Sequence, residues 1–349
     1  MVPVYKLTVA VLTYNRANLL TKMLDSILVQ TYTNFYVLIS DNCSQDNTTE
    51  TVLPYLSDKR FSYIKHDTTV FNCNYVIENC KTEYLLVVHD DDTMLPDMIE
   101  KQIAVLEADI NVSIVFTNIN YIDMNGVFIQ EKIICNPTGN INNNLIIKST
   151  EYLKYYINNG FFIACPTVMF RVSILRSNNI LFKDNIGKAN DLFLWLELNQ
   201  LPFTFYFINT ALYNYRIHVQ QDSNNLFEML PLLKIPVYNL LIHNQYPKKL
   251  IFGWLKYVNR NITELFFTKK DTSEIYKKMN NNLFLPKKTE IYFSIKLYLA
   301  IHIKLLYMLI FKVILKIPEL LKKLIKIWLP HGILELYRRL KLKLSKNQN

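Results

Sequence analysis

Three consecutive carboxylates follow a short apolar run in the first third of the chain. The run is Tyr84–Val88, and His89 separates it from Asp90–Asp92. Two like charges about 4 Å apart repel by about 1 kcal/mol in water and by about 4 kcal/mol at the effective dielectric near a protein surface. A cation stabilises such a cluster. Oxygen ligands favour Mg²⁺ or Mn²⁺, which usually bind substrate phosphates as well. The alternative is a solvated acidic turn that precedes a helix.

Two earlier apolar runs also end in polar side chains. Leu7–Leu12 leads into Thr13–Arg16, and Phe35–Ser40 leads into Asp41. Runs of this length and composition are typical of strands that are buried on both faces of a parallel sheet. Because right-handed crossovers bring successive strand ends to one edge, we expect these polar groups to converge. Open α/β sheets bind ligands at this edge, so the residues alone predict a nucleotide site there.

Helical periodicity separates these runs. Apolar residues recur at helical spacing from Leu19 to Leu28, with Asn18 as the expected N-cap. A helix is then predicted at Thr48–Leu56, a strand at Phe61–Lys65 and a helix at Cys73–Cys80. Met94–Asp97 marks the entry into a further helix, and Ser113–Thr117 is predicted to be the next strand. Alternating strands and helices predict an α/β fold, with a mostly parallel central sheet and helices on both faces.

The composition limits the class of protein. Half of the 349 residues are hydrophobic, which excludes a disordered chain. Only six glycines are present, and neither common glycine-rich phosphate loop occurs. The five cysteines are widely spaced and form no CxxC pair, so we expect reduced thiols rather than disulfides or zinc ligands. The N-terminus carries no export signal, and we expect a cytoplasmic chain.

The positive charge lies in the C-terminal tail. Residues 291–349 contain twelve lysines and arginines and two glutamates, which accounts for the whole net charge of +10. The rest of the tail is strongly apolar, and its lysines interrupt every run that approaches the roughly 20 apolar residues of a membrane-spanning helix. We expect the tail to lie on an anionic membrane surface as basic amphipathic helices. The alternative is a helical subdomain that packs on the catalytic domain or on a second copy.

Four segments resemble family 2 glycosyltransferases in order, spacing and residue type. They are Val9–Arg16, Leu24–Tyr32, Leu38–Asp46 and His89–Asp92, within roughly the first 110 positions. The resemblance is to enzymes that build bacterial surface glycans. It implies a GT-A fold, a nucleotide-diphosphate sugar as the donor, Mn²⁺ or Mg²⁺ as the cofactor, and transfer with inversion of the anomeric centre.

The resemblance also assigns contacts to particular residues. Asp41 corresponds to the family's contact with a base N–H, Asp90 to the contact with the ribose, and Asp91 to the metal ligand. Donor contacts are implied for six residues: Thr13, Tyr14, Arg16, Asp41, Asn74 and Asp90. In Tyr215–His218, a stretch similar to one whose basic residues approach the diphosphate or the metal, His218 is a second candidate metal ligand.

Three acidic-loop positions leave alternatives open. Asp46 is either a ligand or a cap of its own turn. His89 stands where many relatives have aspartate; we expect it to pack or to support a ligand, although a neutral imidazole can bind a metal. Asp92 is expected in the first turn of the next helix, where the helix dipole favours a carboxylate.

A second chemical signal is Asn190–Asp191, which precedes an apolar helical stretch. It resembles the Glu-Asp pair at the start of the family's acceptor-side helix, with Asn190 in place of the glutamate. Sugar transfer to a hydroxyl needs a base within hydrogen-bond reach of the proton. We therefore expect Asp191 to be the catalytic base, and the alternative is a helix-terminal carboxylate without a catalytic role.

These observations predict a catalytic domain followed by two helical regions. The GT-A domain spans 1–220, with a nucleotide-binding half at about 1–110 and an acceptor half at about 111–220; a helical extension at 221–290 and the tail at 291–349 follow. The expected function is sugar transfer from UDP, or from dTDP, to a hydroxyl of a glycan or lipid-linked glycan at the inner face of the membrane, as in lipopolysaccharide or capsule synthesis. The alternative is a non-catalytic relative that binds a glycan or a partner. Basic residues on an apolar tail, without a groove or interleaved exposed aromatics, argue against a nucleic-acid-binding protein.

Overall fold

A computed structural model describes residues 5–132, 144–159, 161–183 and 190–218 of the chain. The predicted helical extension at 221–290 and the predicted tail at 291–349 lie outside these residues, so both stay predictions. No helix in the described part has the length and apolar character needed to cross a membrane. The four cysteines described there are free thiols.

Ten strands within the described residues form one sheet. In chain order they are β1 (Leu7–Thr13), β2 (Phe35–Asp41), β3 (Phe61–Lys65), β4 (Tyr84–His89), β5 (Thr93–Met94), β6 (Val112–Ile122), β7 (Phe128–Lys132), β8 (Leu145–Lys148), β9 (Met169–Arg171) and β10 (Thr204–Arg216). Their order across the sheet is β3-β2-β1-β4-β9-β6-β10-β5, with β7 paired to β6 and β8 paired to β10.

Seven α-helices occur in the same part of the chain. They are α1 (Ala17–Leu28), α2 (Thr48–Val52), α3 (Asn72–Asn79), α4 (Met98–Ala108), α5 (Tyr152–Asn159), α6 (Val172–Ser177) and α7 (Asn190–Leu198). The helix predicted over 48–56 ends early, and a 3₁₀ helix over Leu53–Ser57 continues it. Pro54 has no N–H to donate to the preceding turn, so the α-helical hydrogen bonds cannot continue there.

The part of the sheet formed by β1, β2, β3 and β4 is parallel, as predicted. β1 pairs in parallel with β2 and β4, and β2 pairs in parallel with β3. The apolar residues of β4 from Tyr84 to Val88 are all buried, as expected for a strand with cover on both faces. The carboxyl ends of β1, β2 and β4 therefore meet at one edge of the sheet.

The rest of the sheet is mixed. β6 pairs in parallel with β10, but β9 is antiparallel to both β4 and β6. Buried Arg171, the last residue of β9, donates hydrogen bonds to the main-chain oxygens of Leu106, Asp109 and Val112. β9 thus joins the two halves of the sheet, and the α/β fold class predicted from the sequence is confirmed.

Candidate active site

Two loops at the carboxyl edge of the sheet are joined by hydrogen bonds. Asn15, after β1, has a φ of 53°, a conformation that asparagine tolerates better than most residues. Its main-chain N–H donates to Ser44 Oγ at 2.8 Å, and its side-chain Oδ1 accepts from the Gln45 main-chain N–H at 2.7 Å. The loop after β1 is therefore fixed against the loop after β2.

Asp46 caps two helices. Its Oδ2 accepts a hydrogen bond from the main-chain N–H of Ala17, the first residue of α1, at 3.1 Å. Its Oδ1 accepts from the main-chain N–H of Thr48, the first residue of α2, at 3.1 Å. A carboxylate at a helix N-terminus satisfies free N–H groups and is favoured by the dipole. Asp46 is thus a cap, and the predicted cap Asn18 is wrong because α1 begins one residue before it.

The acidic turn after β4 is buried and paired with the end of β1. Asp90, Asp91 and Asp92 are 1%, 6% and 1% exposed, so the solvated-turn alternative does not hold. Arg16 Nη1 donates to Asp90 Oδ1 at 3.0 Å and to Asp91 Oδ2 at 2.9 Å. Burial raises the pKa of Asp90 to about 6, although the positive charge of Arg16 opposes this rise. The convergence of strand ends predicted from the sequence is therefore present.

Asp91 also contacts His218, the second candidate metal ligand. His218 Nε2 lies 3.0 Å from Asp91 Oδ2, the oxygen that Arg16 contacts. Burial disfavours the ionised carboxyl, but His89, His218 and Arg16 outweigh it and lower the pKa of Asp91. A carboxyl must be ionised to bind a metal ion. Asp91 is therefore in the protonation state that a metal ligand requires.

Asp92 is not a first-turn helix carboxylate, because α4 begins only at Met98. Asp92 Oδ1 accepts a hydrogen bond from the Arg216 main-chain N–H at 2.7 Å. The Tyr213 hydroxyl approaches the carboxyl, but no hydrogen bond of normal geometry reaches the buried Oδ2 within the described residues. Burial, then repulsion by Asp91, raises the pKa of Asp92 well above its usual range. A buried oxygen without a partner is costly unless it binds a proton or a cation.

Arg216 supports this turn from the protein interior. Its buried guanidinium donates from Nε to the main-chain oxygen of Asp91 at 2.6 Å. Its Nη1 donates to the main-chain oxygens of Asp123 and Met124 at 2.8 and 3.0 Å. The expectation that basic residues of this stretch approach a diphosphate or a metal is therefore wrong for Arg216, whose bonds hold the acidic turn against the β6–β7 hairpin.

The acidic turn contains a set of atoms that fits a divalent cation. His89, Asp91 and Asp92 each offer a ligand atom, and the three atoms lie within 4.8 Å of one another. Divalent ions bind nitrogen and oxygen ligands at about 2.0–2.6 Å, so opposed ligands lie about 4–5 Å apart. The buried Oδ2 of Asp92 has no hydrogen bond of normal geometry within the described residues, so it can serve as one of these ligand atoms. The residues fit Mn²⁺ or Mg²⁺.

A cavity of about 340 Å³ opens beside the turn. Its walls are formed by Leu12, Thr13, Tyr14, Arg16, Asn42, Asn72, His89, Asp90, Asp91 and Tyr215. The Tyr14 side chain is half exposed, so its ring is available to a planar ligand. The structure thus brings together five residues predicted to bind the donor or the metal: Thr13, Tyr14, Arg16, Asp90 and Asp91.

Two predicted donor contacts lie outside the cavity wall. Asp41 is fully buried; its Oδ1 accepts from the Ser44 main-chain N–H at 2.8 Å and its Oδ2 from the Tyr63 hydroxyl at 2.6 Å. The Asn74 amide makes two hydrogen bonds of 2.8 Å with the main chain of Phe182. In this structure each side chain holds a loop behind the wall, and the donor contacts predicted for both residues stay predictions.

Asp191 lies in the first turn of α7, where the sequence placed it. Its Oδ1 accepts a hydrogen bond from the Leu192 main-chain N–H at 2.8 Å. It is not part of the cavity wall. Burial, and then the charge of Asp191, raises the pKa of the Cys73 and Cys165 thiols. Burial raises the pKa of Asp191 to about 6, which suits proton abstraction near neutral pH.

Sequence reasoning missed two amides in the cavity wall. Asn72, the first residue of α3, donates from Nδ2 to the Ser40 main-chain oxygen at 2.9 Å and accepts from Ser40 Oγ at 2.6 Å. Asn42 Oδ1 accepts from the Val70 main-chain N–H at 2.8 Å. Asn42 directly follows β2, and its place at a strand end is a signal that could have found it. Asn72 stands two residues before Asn74, and no spacing rule distinguishes the two.

Comparisons with known sequences agree with this geometry. A family model described as glycosyl transferase family 2 matches residues 8–177. A glycosyltransferase of Rickettsia felis is 28% identical over 197 residues, which cover 55% of this chain and only 30% of the relative. A glycosyltransferase of Methanocaldococcus jannaschii is 24% identical over 216 residues, which cover 60% of this chain and 70% of the relative.

Solved structures share the fold. The S. aureus protein TarS, in complex with UDP-GlcNAc, has a TM-score of 0.57 and 16% identity over 72% of each chain. The mannosyltransferase PcManGT from Pyrobaculum calidifontis, in complex with GDP-Man and Mn²⁺, has a TM-score of 0.51 and 14% identity over 86% of this chain and 87% of its own. These similarities confirm the GT-A fold. The match of residues 8–177 to the model of glycosyl transferase family 2, together with relatives named glycosyltransferases, supports a family 2 glycosyltransferase.

Proposed function

We propose that this protein is a metal-dependent, inverting glycosyltransferase. It transfers a sugar from a nucleotide diphosphate, with UDP as the first choice and dTDP as the second, to a hydroxyl of a glycan or glycolipid. The observation that carries this proposal is the buried acidic turn, in which Arg16 and His218 meet on Asp91 beside an open cavity. TarS complexes with UDP and UDP-GlcNAc and the PcManGT complex with GDP-Man and Mn²⁺ support it, since both proteins share the fold.

The cavity wall supplies groups for each part of a nucleotide diphosphate. The half-exposed ring of Tyr14 is placed to stack on a base, and the amides of Asn42 and Asn72 offer hydrogen bonds to its edge. Arg16 carries a planar guanidinium suited to phosphate oxygens. Arg16 is therefore proposed to leave its contacts with the carboxylates, at least in part, when a diphosphate binds.

The metal ligands proposed are Asp91 with His89, Asp92 or His218. When bound, the ion neutralises charge on the departing diphosphate. The protein's own contribution is to hold these ligands in place before the donor arrives. The Arg216 side chain fixes the main chain of the turn, and the Arg216 main-chain N–H holds the Asp92 carboxyl. Such preorganisation lowers the cost of stabilising charge in the transition state.

Asp191 is proposed to be the base. As the acceptor oxygen forms its bond to the anomeric carbon, Asp191 takes the hydroxyl proton, and the bond between that carbon and the diphosphate oxygen breaks. Attack on the face opposite the leaving group inverts the anomeric centre. With a pKa of about 6, most Asp191 carboxyls are ionised at pH 7 and can accept a proton.

The acceptor and the location are proposed from the C-terminal tail. The predicted tail at 291–349 favours a lipid-linked acceptor at the inner face of the membrane, because its basic and apolar residues suit an anionic surface. The non-catalytic alternative draws on Asn190, which replaces the family's glutamate. Asp91 and Asp191 argue against that alternative, since both keep the protonation behaviour that catalysis needs.

The test measures nucleotide-diphosphate release from UDP-, dTDP- and GDP-sugars with Mn²⁺ or Mg²⁺. We expect slow hydrolysis of one donor that needs the ion and is lost in Asp91→Asn. Asp97→Asn is the matched control, because Asp97 pairs with Lys101 on the helix surface six positions away. Absence of release, together with absence of donor binding by calorimetry, would contradict the enzyme and favour the non-catalytic relative.

A further inference from the structure

We propose that His89 is a ligand of the divalent ion and that it makes the site prefer transition ions such as Mn²⁺ and Co²⁺ over Mg²⁺. The inference rests on the proposed function, because it concerns the ion of that site. It differs from the expectation that His89 packs or supports another ligand, and it concerns a position where this chain departs from its family.

The geometry places the His89 side chain with the acidic ligands. His89 is the last residue of β4, lies opposite Leu12 of β1 and belongs to the cavity wall. One of its ring nitrogens lies within 4.8 Å of a carboxylate oxygen of Asp91 and one of Asp92. A side chain that only packs against the protein does not require this position.

The carboxyl of Asp92 gives an independent observation. One of its oxygens is held by the Arg216 main chain, while the buried Oδ2 has no hydrogen bond of normal geometry within the described residues. A cation shared with His89 and Asp91 satisfies the oxygen, because all three ligand atoms lie close enough to surround one ion.

The chemistry of the ligand set then predicts selectivity. Three aspartates would form a site of hard oxygens, which suits Mg²⁺. Histidine replaces one anionic oxygen with a neutral nitrogen, which Mg²⁺ accepts poorly and which first-row transition ions accept with an affinity that rises from Mn²⁺ to Co²⁺. The substitution also lowers the negative charge of the three side chains by one. Both changes weaken the binding of Mg²⁺ more than the binding of Mn²⁺ or Co²⁺.

The test measures ion binding directly on the full chain, with the ion alone and with UDP added. Free Mn²⁺ is followed by its paramagnetic resonance signal, and Co²⁺ and Mg²⁺ are added as competitors. For the wild type we expect Mn²⁺ and Co²⁺ to bind at least about tenfold more tightly than Mg²⁺. His89→Asp should reduce the Mn²⁺ to Mg²⁺ affinity ratio at least about tenfold by raising the affinity for Mg²⁺, and His89→Asn should lower the Mn²⁺ affinity without that gain.

Two further histidine variants keep the result specific. His66→Asn is the matched control, because His66 bonds to Ser40 outside the ligand cluster, and it should leave the ratio unchanged. The visible spectrum of bound Co²⁺ should change in His89→Asn and stay the same in His66→Asn. An unchanged ratio in His89→Asp would overturn the inference. The inference would also be overturned if His218→Asn lost the preference for Mn²⁺ over Mg²⁺ while His89→Asp kept it. The nitrogen ligand would then be His218.

The result is separable from the test of the proposed function. If UDP binding depends on the ion but His89→Asp does not change the ion preference, the proposed function stands and the inference about His89 fails. Absence of Mn²⁺ and Mg²⁺ binding, with and without UDP, would overturn the metal site and the inference together.

Discussion

The two sides of the proposed reaction are built differently. On the donor side, the acidic turn bonds to elements far away in the chain: Arg16 lies 75 positions from Asp91, and His218 lies 127 positions from it. On the acceptor side, the hydrogen bonds described for Asp191 come from the first turn of its own helix. The surroundings of the Asp91 carboxylate are therefore formed by partners from across the fold. Those of Asp191 are formed by the local main chain and by burial.

This difference between Asp91 and Asp191 shows which properties depend on the whole fold. The charge of Asp91 is stabilised by opposite charges, which the fold must bring together, whereas the proton affinity of Asp191 is raised by burial. Donor and ion binding should therefore respond to changes at distant supporting residues. Loss of Asp191 should affect the chemical step and leave donor binding intact.

The largest expected effect separates the two sides. Asp191→Asn removes the proposed base and keeps the shape of the side chain, so kcat should fall by about 10²- to 10⁴-fold, the usual contribution of a general base. The dissociation constant of the donor, measured by calorimetry, should change by less than about twofold. A rise of tenfold or more in that constant would show that the two sides are coupled. Asn190→Asp is the control at the neighbouring position, and it should keep most of the activity.

A change in the support of the donor side should affect the whole domain. Arg216→Met leaves the main-chain oxygens of Asp91, Asp123 and Met124 without their donor. Each buried unsatisfied group costs about 1–3 kcal/mol, so the free energy of unfolding in urea should fall by about 3 kcal/mol or more. Arg60→Met, which removes a partly exposed pair with Asp58, should cost less than about 1 kcal/mol. Equal losses would mean that Arg216 has no special supporting role.

The same contrast explains what the sequence could and could not predict. Strand ends and the carboxylates at them follow from hydrophobic runs and chain order, and these placed Asp90 and Asp91 correctly. The burial of Asp92 depends on Arg216, 124 positions away, and no local pattern contains that pairing. The orientation of Asp41 toward Tyr63 is likewise a tertiary contact. Residue type predicts the chemistry a side chain can perform, while packing decides which way it faces.

A pH dependence of the chemical step should appear on the acceptor side. The pKa of Asp191 is raised to about 6, so the base gains a proton as the pH falls through that value. The rate at saturating donor and acceptor should therefore fall about tenfold per pH unit below about pH 6 and level off above pH 7. Asp191 also binds protons more tightly in the folded chain than in the unfolded one. Its contribution to the free energy of unfolding must therefore decrease as the pH rises from about 4 to about 6.

The measurement compares Asp191→Asn with the wild type in urea unfolding at several pH values. The variant lacks the titrating group, so its stability relative to the wild type should increase over this window. A constant difference between the two proteins would contradict the raised pKa.

The smallest expected effect comes from a matched pair of asparagines on α3. Asn72 lies in the cavity wall, whereas the Asn74 amide is used by the main chain of Phe182. Asn72→Ala should weaken UDP binding by about fivefold, since it removes a polar contact worth about 1 kcal/mol. Asn74→Ala should change UDP binding by less than about threefold and lower the unfolding free energy by about 1 kcal/mol. Calorimetry and urea unfolding on both variants decide between the roles. If Asn74→Ala were the one to lose nucleotide affinity, the resemblance would have identified the donor residue better than the packing did, and α3 would have to shift when the nucleotide binds.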